Sequence, residues 1–330
     1  MLSMLQIDAA QVAARLDRHA LIDALDDAFR KPHQVPERQQ YSIDAAQPGQ
    51  SSGTLLIMPA WDAAPALDAG SARDTGSALG VKVVTVFPDN ALRGLPSVCA
   101  SYLLLDAATG QARAVIDGGE LTLRRTAAAS ALASRYLSSP DAARLLMVGT
   151  GKLAPHLIES HALVRPVREV RIWGRRADRA RELAASLARP GLSVEATEDL
   201  EASTRWADIV SCATLSQQPL VLGAWLKPGL HLDLVGAFTP QMREADDEAI
   251  ARCALYVDTR SGASRESGEI IGAIARGIID QNHIRAEFAD LPAGSFARQD
   301  PRAITAFKSV GSALEDLVAA KLLLAAGGLV

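Results

Sequence analysis

The sequence predicts an α/β protein of two domains. One is a Rossmann-type doubly wound domain; the other is an α+β domain with a mainly antiparallel sheet. Three observations carry this expectation. From residue 144 onward, strand-like and helix-like segments alternate over 145–149, 152–163, 168–173, 176–188 and 209–214, the mark of a parallel sheet with crossover helices. Within that half, the apolar run Leu145-Leu-Met-Val ends in Gly149-Thr-Gly151-Lys-Leu-Ala154 and continues into a helix-compatible segment. Before residue 118, by contrast, strands follow one another through short turns, as in an antiparallel sheet.

Taken in order, residues 7–30 place Val12, Leu16, Leu21, Ile22, Leu25 and Phe29 at helical spacing. A Pro- and Gln-rich loop with an edge strand follows over 32–53, then a strand over 54–59 and an Ala-, Asp- and Gly-rich loop over 60–77. Strands over 79–87 and 97–105 are joined by Pro88-Asp-Asn-Ala-Leu-Arg-Gly-Leu-Pro96. A turn at 106–110 leads into a strand over 112–116. The Ala-rich stretch 121–136 reads as a helix. Beyond the alternating segments, 231–236, 254–258 and 303–311 read as strands, the last with a turn, and 312–325 as a closing helix. Residues 1–125 with 305–330 are therefore assigned to a substrate-binding and dimerisation domain, and 126–304 to a Rossmann dinucleotide-binding domain.

Length and composition narrow the function. A chain of 330 residues with 48% hydrophobic and 22% charged residues supports two domains with ample cores. A net charge of −4 without a long basic run gives nucleic-acid binding little electrostatic support. No apolar run reaches the roughly 18 residues that span a bilayer, and the N-terminus lacks a basic, then apolar leader. Cys99, Cys212 and Cys253 are scattered, as thiols of a reducing compartment are, and the six histidines make no H-x-x-x-H pair. A cytoplasmic enzyme without a metal, membrane or nucleic-acid partner is the expectation.

Gly149 permits the tight turn of a dinucleotide site, Gly151 a close approach to pyrophosphate, and Ala154 close helix–strand packing. The helix start offers N–H groups to the phosphates. The next strand ends Ile172-Trp-Gly174-Arg175-Arg176, with no acid to bind a ribose 2′-hydroxyl. Arg175 and Arg176 would clasp a 2′-phosphate, which favours NADP, with NAD possible; alternatively they begin an exposed helix with Asp178 and Glu182. In the first domain, Lys82 shares a face with Val84 and Val86, while Val81 and Val83 take the other. An ammonium so placed is costly unless a partner or ligand neutralises it; the alternative is an edge-strand lysine that blunts pairing. Arg124 and Arg125 open the 121–136 helix, where the dipole disfavours cations, so they suggest a bound anion or else simple solvation. No nucleophile elbow or Cys–His arrangement is present, which leaves cofactor chemistry.

These residues together resemble the ornithine cyclodeaminase and mu-crystallin family over nearly the whole chain. The matching blocks are Gly80-Val-Lys-Val-Val with Pro88-Asp-Asn, Gly94-Leu-Pro-Ser-Val, Asp106-Ala-Ala-Thr-Gly, Leu121-Thr-Leu-Arg-Arg-Thr-Ala-Ala-Ala-Ser-Ala131, Val148-Gly-Thr-Gly, Val235-Gly-Ala-Phe-Thr-Pro-Gln-Met-Arg-Glu244 and Phe307-Lys-Ser-Val-Gly-Ser-Ala-Leu-Glu-Asp316. The resemblance implies a homodimeric NAD(P) enzyme in which a small α-amino or α-imino acid meets the nicotinamide. It places substrate contacts on Arg38, Lys82, Ser97 and Arg125. Cofactor contacts fall on Arg125 and Thr126, on the turn Gly149, Thr150, Gly151, Lys152, Leu153, on Gly174, Arg175 and Arg176, and on Ala213 and Thr214. Val235, Gly236 and Gly311 border the nicotinamide.

One departure sorts the branches. Cyclodeaminases and archaeal alanine dehydrogenases of the family carry an aspartate where this chain reads Gly236-Ala-Phe238-Thr-Pro240. Phenylalanine cannot move protons. The resemblance therefore favours a ketimine reductase, in which Lys82 and Arg125 act on the substrate and Phe238 walls its ring. Ornithine cyclodeamination, an alanine- or opine-type dehydrogenase, and a non-enzymatic NADP-dependent binding protein are the alternatives.

Overall fold

The computed structural model describes residues 4–45, 51–62 and 77–326. They form two compact units, Met1–Arg125 with Ser312–Val330, and Thr126–Gly311.

The first unit begins with a short strand, β1 (Leu5–Ile7). The helical spacing over 7–30 then becomes two helices, α1 (Ala9–Arg15) and α2 (Arg18–Phe29). An aspartate caps the start of each, and Asp17 marks the break between them. Asp8 accepts from Gln11 N at 2.8 Å in a reciprocal capping box, and Asp17 accepts from Ala20 N at 2.8 Å, with Leu16 extended between the helices. Strands β2 (His33–Gln34), β3 (Gln39–Ile43), β4 (Gly53–Asp62), β5 (Ala78–Val86), β6 (Val98–Asp106) and β7 (Ala112–Asp117) complete a sheet ordered β1-β7-β6-β5-β4-β2, with β3 also on β4. Every pair in it is antiparallel except β1 with β7. β4 continues through Ala60–Asp62, the start of the expected loop, and 63–76 lie outside the described residues.

Helix α3 (Gly118–Leu137) follows β7 and runs into the second unit. There the chain alternates β8 (Arg144–Val148), α4 (Leu153–Val164), β9 (Glu169–Trp173), α5 (Ala177–Leu187), β10 (Ser193–Ala196), α6 (Leu200–Trp206), β11 (Ile209–Cys212) and β12 (His231–Leu234). Next come α7 (Asp247–Arg252), β13 (Ala254–Val257), α8 (Arg260–Glu266), α9 (Gly268–Ala275), β14 (Ile284–Glu287) and β15 (Thr305–Lys308). All eight strands are parallel, in the order β10-β9-β8-β11-β12-β15-β13-β14. Leu145–Val148 of β8 are fully buried, as helices on both faces of a parallel sheet require. The order reverses between β8 and β11, the place where doubly wound sheets bind ligands at their strand ends.

One boundary needs correction. The sequence pattern puts residues 305–311 in the first domain, but β15 inserts between β12 and β13, with Leu232 beside Ala306. Its four residues are buried because both faces of this sheet are covered. The chain leaves the second unit only at Gly311. Helix α10 (Ala313–Ala326) then packs on α2 and on β4 and β5 of the first unit, over buried Met58, Ala60, Val84 and Leu104.

Candidate active site

In the first unit the chemistry gathers around Lys82. β5 lies between β4 and β6, so Lys82 is not an edge lysine. It is 2% exposed, while Val83 on the opposite face is 39% exposed. Its Nζ lies 2.7 Å from Asp316 Oδ2 and donates to Thr122 Oγ1 at 3.4 Å. Asp316 also accepts from Arg125 Nε at 3.0 Å, and Arg125 Nη1 pairs with Glu315 Oε2 at 2.6 Å. Glu315 and Asp316 occupy the first turn of α10, where the helix dipole favours acids, and Glu315 also accepts from Ser312 N. Two buried cations thus meet two buried carboxylates.

This arrangement tunes Lys82. Burial, followed by the Arg125 charge, disfavours the ammonium; Asp316 opposes them, and Arg38 adds a smaller repulsion. The pKa settles at about 8 instead of the usual lysine value. For Arg125 burial acts against the charge, but Asp316 and Glu315 outweigh it and hold the pKa above the ordinary value. Opposite Lys82 on β6, Tyr102 fills the space above Gly80, where a Cβ would stand 1.8 Å from the phenol oxygen.

Not every expected residue joins the cluster. Arg124 needs no external anion: α3 begins at Gly118, and its guanidinium is spent on Glu120 at 2.7 Å and the Leu16 carbonyl at 2.9 Å. Ser97 pairs through its carbonyl with Phe87, and its hydroxyl donates to Pro88 O at 3.3 Å. That puts it five residues along the ladder from Lys82, roughly 16 Å at the rise of a strand.

In the second unit the glycine turn has the shape a dinucleotide needs. Gly149 adopts φ +123°, and a Cβ there would stand 2.6 Å from Ala213 O. A Cβ at Gly151 would meet nothing within 4 Å, so the space before the turn is open. Ala154 is fully buried with its N–H donating to Gly151 O at 3.0 Å, and α4 starts at Lys152 and Leu153 without a side-chain cap. Gly174 lets the end of β9 press on Thr150; a Cβ there would stand 2.7 Å from Thr150 Cγ2. Arg175 and Arg176 are exposed, and Arg176 heads α5. These residues fit a dinucleotide phosphate chain. Thr126 and Val235 are buried, and Phe238 is 38% exposed just after β12.

Three buried acids brace the strand ends, and sequence reasoning gave none of them a role. Asp233 accepts from Ser130 and Ser211 and meets His161 at 3.1 Å. Burial works to raise its pKa, but the His161 bond and charge and the Ser211 bond outweigh that and keep it low. Asp258 takes Ser309 Oγ, Val310 N and Gly311 N, and Gly311 needs its φ of +85° to reach it. Glu244 accepts from Thr214, Gly236 and Ala237. An aspartate just past a parallel strand, as at Asp258, was the one available signal.

Residues 3–325 match the Ornithine cyclodeaminase/mu-crystallin family. The chain is 42% identical to Protein SAR DEFICIENT 4 of Arabidopsis thaliana over 87% of this chain and 85% of that protein. It is 35% identical to a Delta(1)-pyrroline-2-carboxylate reductase of Colwellia psychrerythraea, over 95% and 96% of the two. Among solved structures, Thermococcus litoralis Delta(1)-pyrroline-2-carboxylate reductase in complex with NADH and L-proline superposes with a TM-score of 0.86 and 32% identity, covering 97% of this chain and 96% of that one.

Asp316 answers both buried cations, so Asp316→Ala should cost about 3–5 kcal/mol in denaturant unfolding, the usual penalty for stranding a buried charge. A loss below about 1 kcal/mol, the range of solvated pairs, would show that Asp316 does not compensate them.

Proposed function

The chain belongs to the ornithine cyclodeaminase/mu-crystallin family, and we propose that within it the protein is an NADPH-dependent reductase of cyclic 2-imino acids. It would convert Δ1-pyrroline-2-carboxylate or Δ1-piperideine-2-carboxylate to L-proline or L-pipecolate. One observation carries the choice of reduction over cyclodeamination. Phe238 stands where the resemblance calls for an aspartate, and the neighbouring acids cannot replace it. Asp233 and Glu244 are both 0% exposed, with their oxygens spent on internal donors. The names of the Colwellia and Thermococcus proteins support the same reading.

The chemistry asks little of the protein beyond binding, orientation and one proton. A dinucleotide held at the glycine turn would supply the hydride for the imine carbon, and the ring nitrogen would take the proton that completes the amine. Lys82 and Arg125, with Arg38 at their margin, hold the substrate carboxylate and fix the carbon for attack; such positioning is a large part of the rate. Lys82, with a pKa of about 8, carries a transferable proton at neutral pH. Asp316 keeps its ammonium oriented, and the family resemblance gives Phe238 the part of an apolar wall for the ring. Arg175 and Arg176 would hold the 2′-phosphate, and the glycine turn the pyrophosphate.

We also propose a homodimer. Tyr41, Ile43 and Val83 are exposed on the sheet face opposite Lys82, beside half-buried Leu55, Ile57, Val81 and Leu103. An apolar face of this kind on a soluble chain calls for a partner, and a second copy supplies the same surface. A monomeric mass in sedimentation equilibrium would remove this assignment.

The central test is a panel of five- and six-membered cyclic imines with NADPH and NADH. Reduction to the L-amino acid with NADPH is expected, with no comparable ammonia release from ornithine. Turnover only with linear keto acids plus ammonia would make the protein an open-chain dehydrogenase, and no turnover with any imine a binding protein. In the same panel Arg175→Ala/Arg176→Ala should raise the NADPH KM by about tenfold or more, about 1.4 kcal/mol, and leave NADH nearly unchanged. Equal losses with both cofactors would refute the phosphate assignment.

The pH profile tests Lys82. Its donating form prevails below pH 8 and is lost above it. The value of kcat/KM should therefore fall by about tenfold per unit on the alkaline side. Lys82→Met should cripple turnover and abolish that limb; an unchanged limb in the variant would assign the titration elsewhere.

A further inference from the structure

Glu244 lies in the segment between β12 and α7 and is fully buried. Its carboxylate turns back under the ends of two adjacent parallel strands. Oε1 accepts from Thr214 N at 2.7 Å and from Thr214 Oγ1 at 2.8 Å, on the loop after β11. Oε2 accepts from Gly236 N at 2.7 Å and Ala237 N at 3.3 Å, on the loop after β12. One side chain thus satisfies four donors, three backbone N–H groups past the strand ends and the Thr214 hydroxyl. The two loops are pressed together at the same place. A Cβ on Gly236 would stand 2.1 Å from Thr214 O and 2.5 Å from Glu244 Oε1.

Glu244 is itself anchored. Its N–H donates to Glu269 Oε1 at 2.8 Å; Glu269 Oε2 accepts from Ser267 Oγ at 3.1 Å and lies 3.5 Å from Lys308 Nζ. Lys308 and Glu269 are both 0% exposed. Two carboxylates and an ammonium are thus buried to hold two short loops. Burial pushes the Glu244 pKa up, and the Lys308 charge opposes it. A neutral acceptor would avoid that desolvation, but charge-assisted bonds are shorter and stiffer. Stiffness matters where the loops border a ligand, and these loops lie at the carboxyl ends of strands on the β11 side of the reversal between β8 and β11.

We infer that Glu244 is a positioning residue for the nicotinamide end of the dinucleotide. It touches neither cofactor nor substrate. It fixes the 213–214 and 235–237 loops, against which that end lies, and it leaves the adenosine end at Gly174–Arg176 untouched. The inference rests on the proposed dinucleotide site but not on the identity of the imine.

The test compares Glu244→Gln with the wild-type protein by equilibrium binding, read from protein and nucleotide fluorescence. The amide keeps the size of the side chain but turns one acceptor into a donor facing donors. NADPH should bind about tenfold more weakly or worse, as expected for stranded buried donors. Adenosine 2′,5′-bisphosphate, which lacks the nicotinamide, should bind as to wild type within about twofold, since its contacts are unaltered. The amides of Thr214, Gly236 and Ala237 should exchange faster with deuterium. Thr214→Val removes one donor of the four; it should show the same pattern at smaller amplitude, and it decides the matter if Glu244→Gln does not fold. Unchanged NADPH affinity, or equal losses for NADPH and the fragment, would overturn the inference. Wild-type protein that binds NADPH but reduces no imine would overturn the proposed reaction and leave this comparison intact. Wild-type protein that binds neither nucleotide would overturn both.

Discussion

The first unit depends on burying two cations next to each other. Lys82 and Arg125 repel, and neither has enough water around it to screen the other. Their burial is tolerable only because Asp316 bridges them and Glu315 takes the far side of Arg125. These acids come from the helix that follows the second unit, 190 residues after Arg125. Both segments of the discontinuous first unit enter this balance: its sheet and α3 supply the cations, and the returning α10 supplies the counter-ions. Burial, and after it the Arg125 charge, brings the Lys82 pKa down to about 8 against the upward pull of Asp316.

The second unit solves a related problem at its strand ends. Parallel strands stop with unpaired N–H groups, and the loops beyond them must stay put if they are to border a ligand. Glu244 and Asp258 do this by gathering donors from loops, while Asp233 ties β12 to β11, α3 and α4 through Ser211, Ser130 and His161. Small residues make it possible: Gly149 and Gly236 bring backbones into contacts that a Cβ would forbid, and Gly174 leaves room for the Thr150 side chain. The turn before α4, by contrast, is left open and uncapped. Rigid loops beside an open helix start suit a bound dinucleotide, and the acids that create the rigidity are thereby withdrawn from proton chemistry. Asp233 and Glu244, so engaged, do not stand in for the aspartate that the family resemblance expects at Phe238. Reduction of an imine tolerates this loss, since its only proton demand falls on the ring nitrogen.

Local features were legible in the order of residues. Period and turn chemistry mark β8, the Gly149–Ala154 turn and α4, because a buried parallel strand and a phosphate turn each need particular residues at adjacent positions. The strands β5, β6 and β7 are legible for the same reason, and Lys82 stands out as a charge out of place on β5. The caps Asp8 and Asp17 were equally available in the sequence, though the apolar spacing across them suggested one helix. Only the folded chain shows which distant groups answer each other. Nothing near Lys82 announces Asp316, nothing near Arg124 announces the Leu16 carbonyl, and nothing in Thr305–Lys308 tells that it slips between β12 and β13. Pattern reports which face of an element is apolar and where it ends. The partner of a buried charge, and the neighbour of a strand, are chosen by a packing that weighs all elements at once.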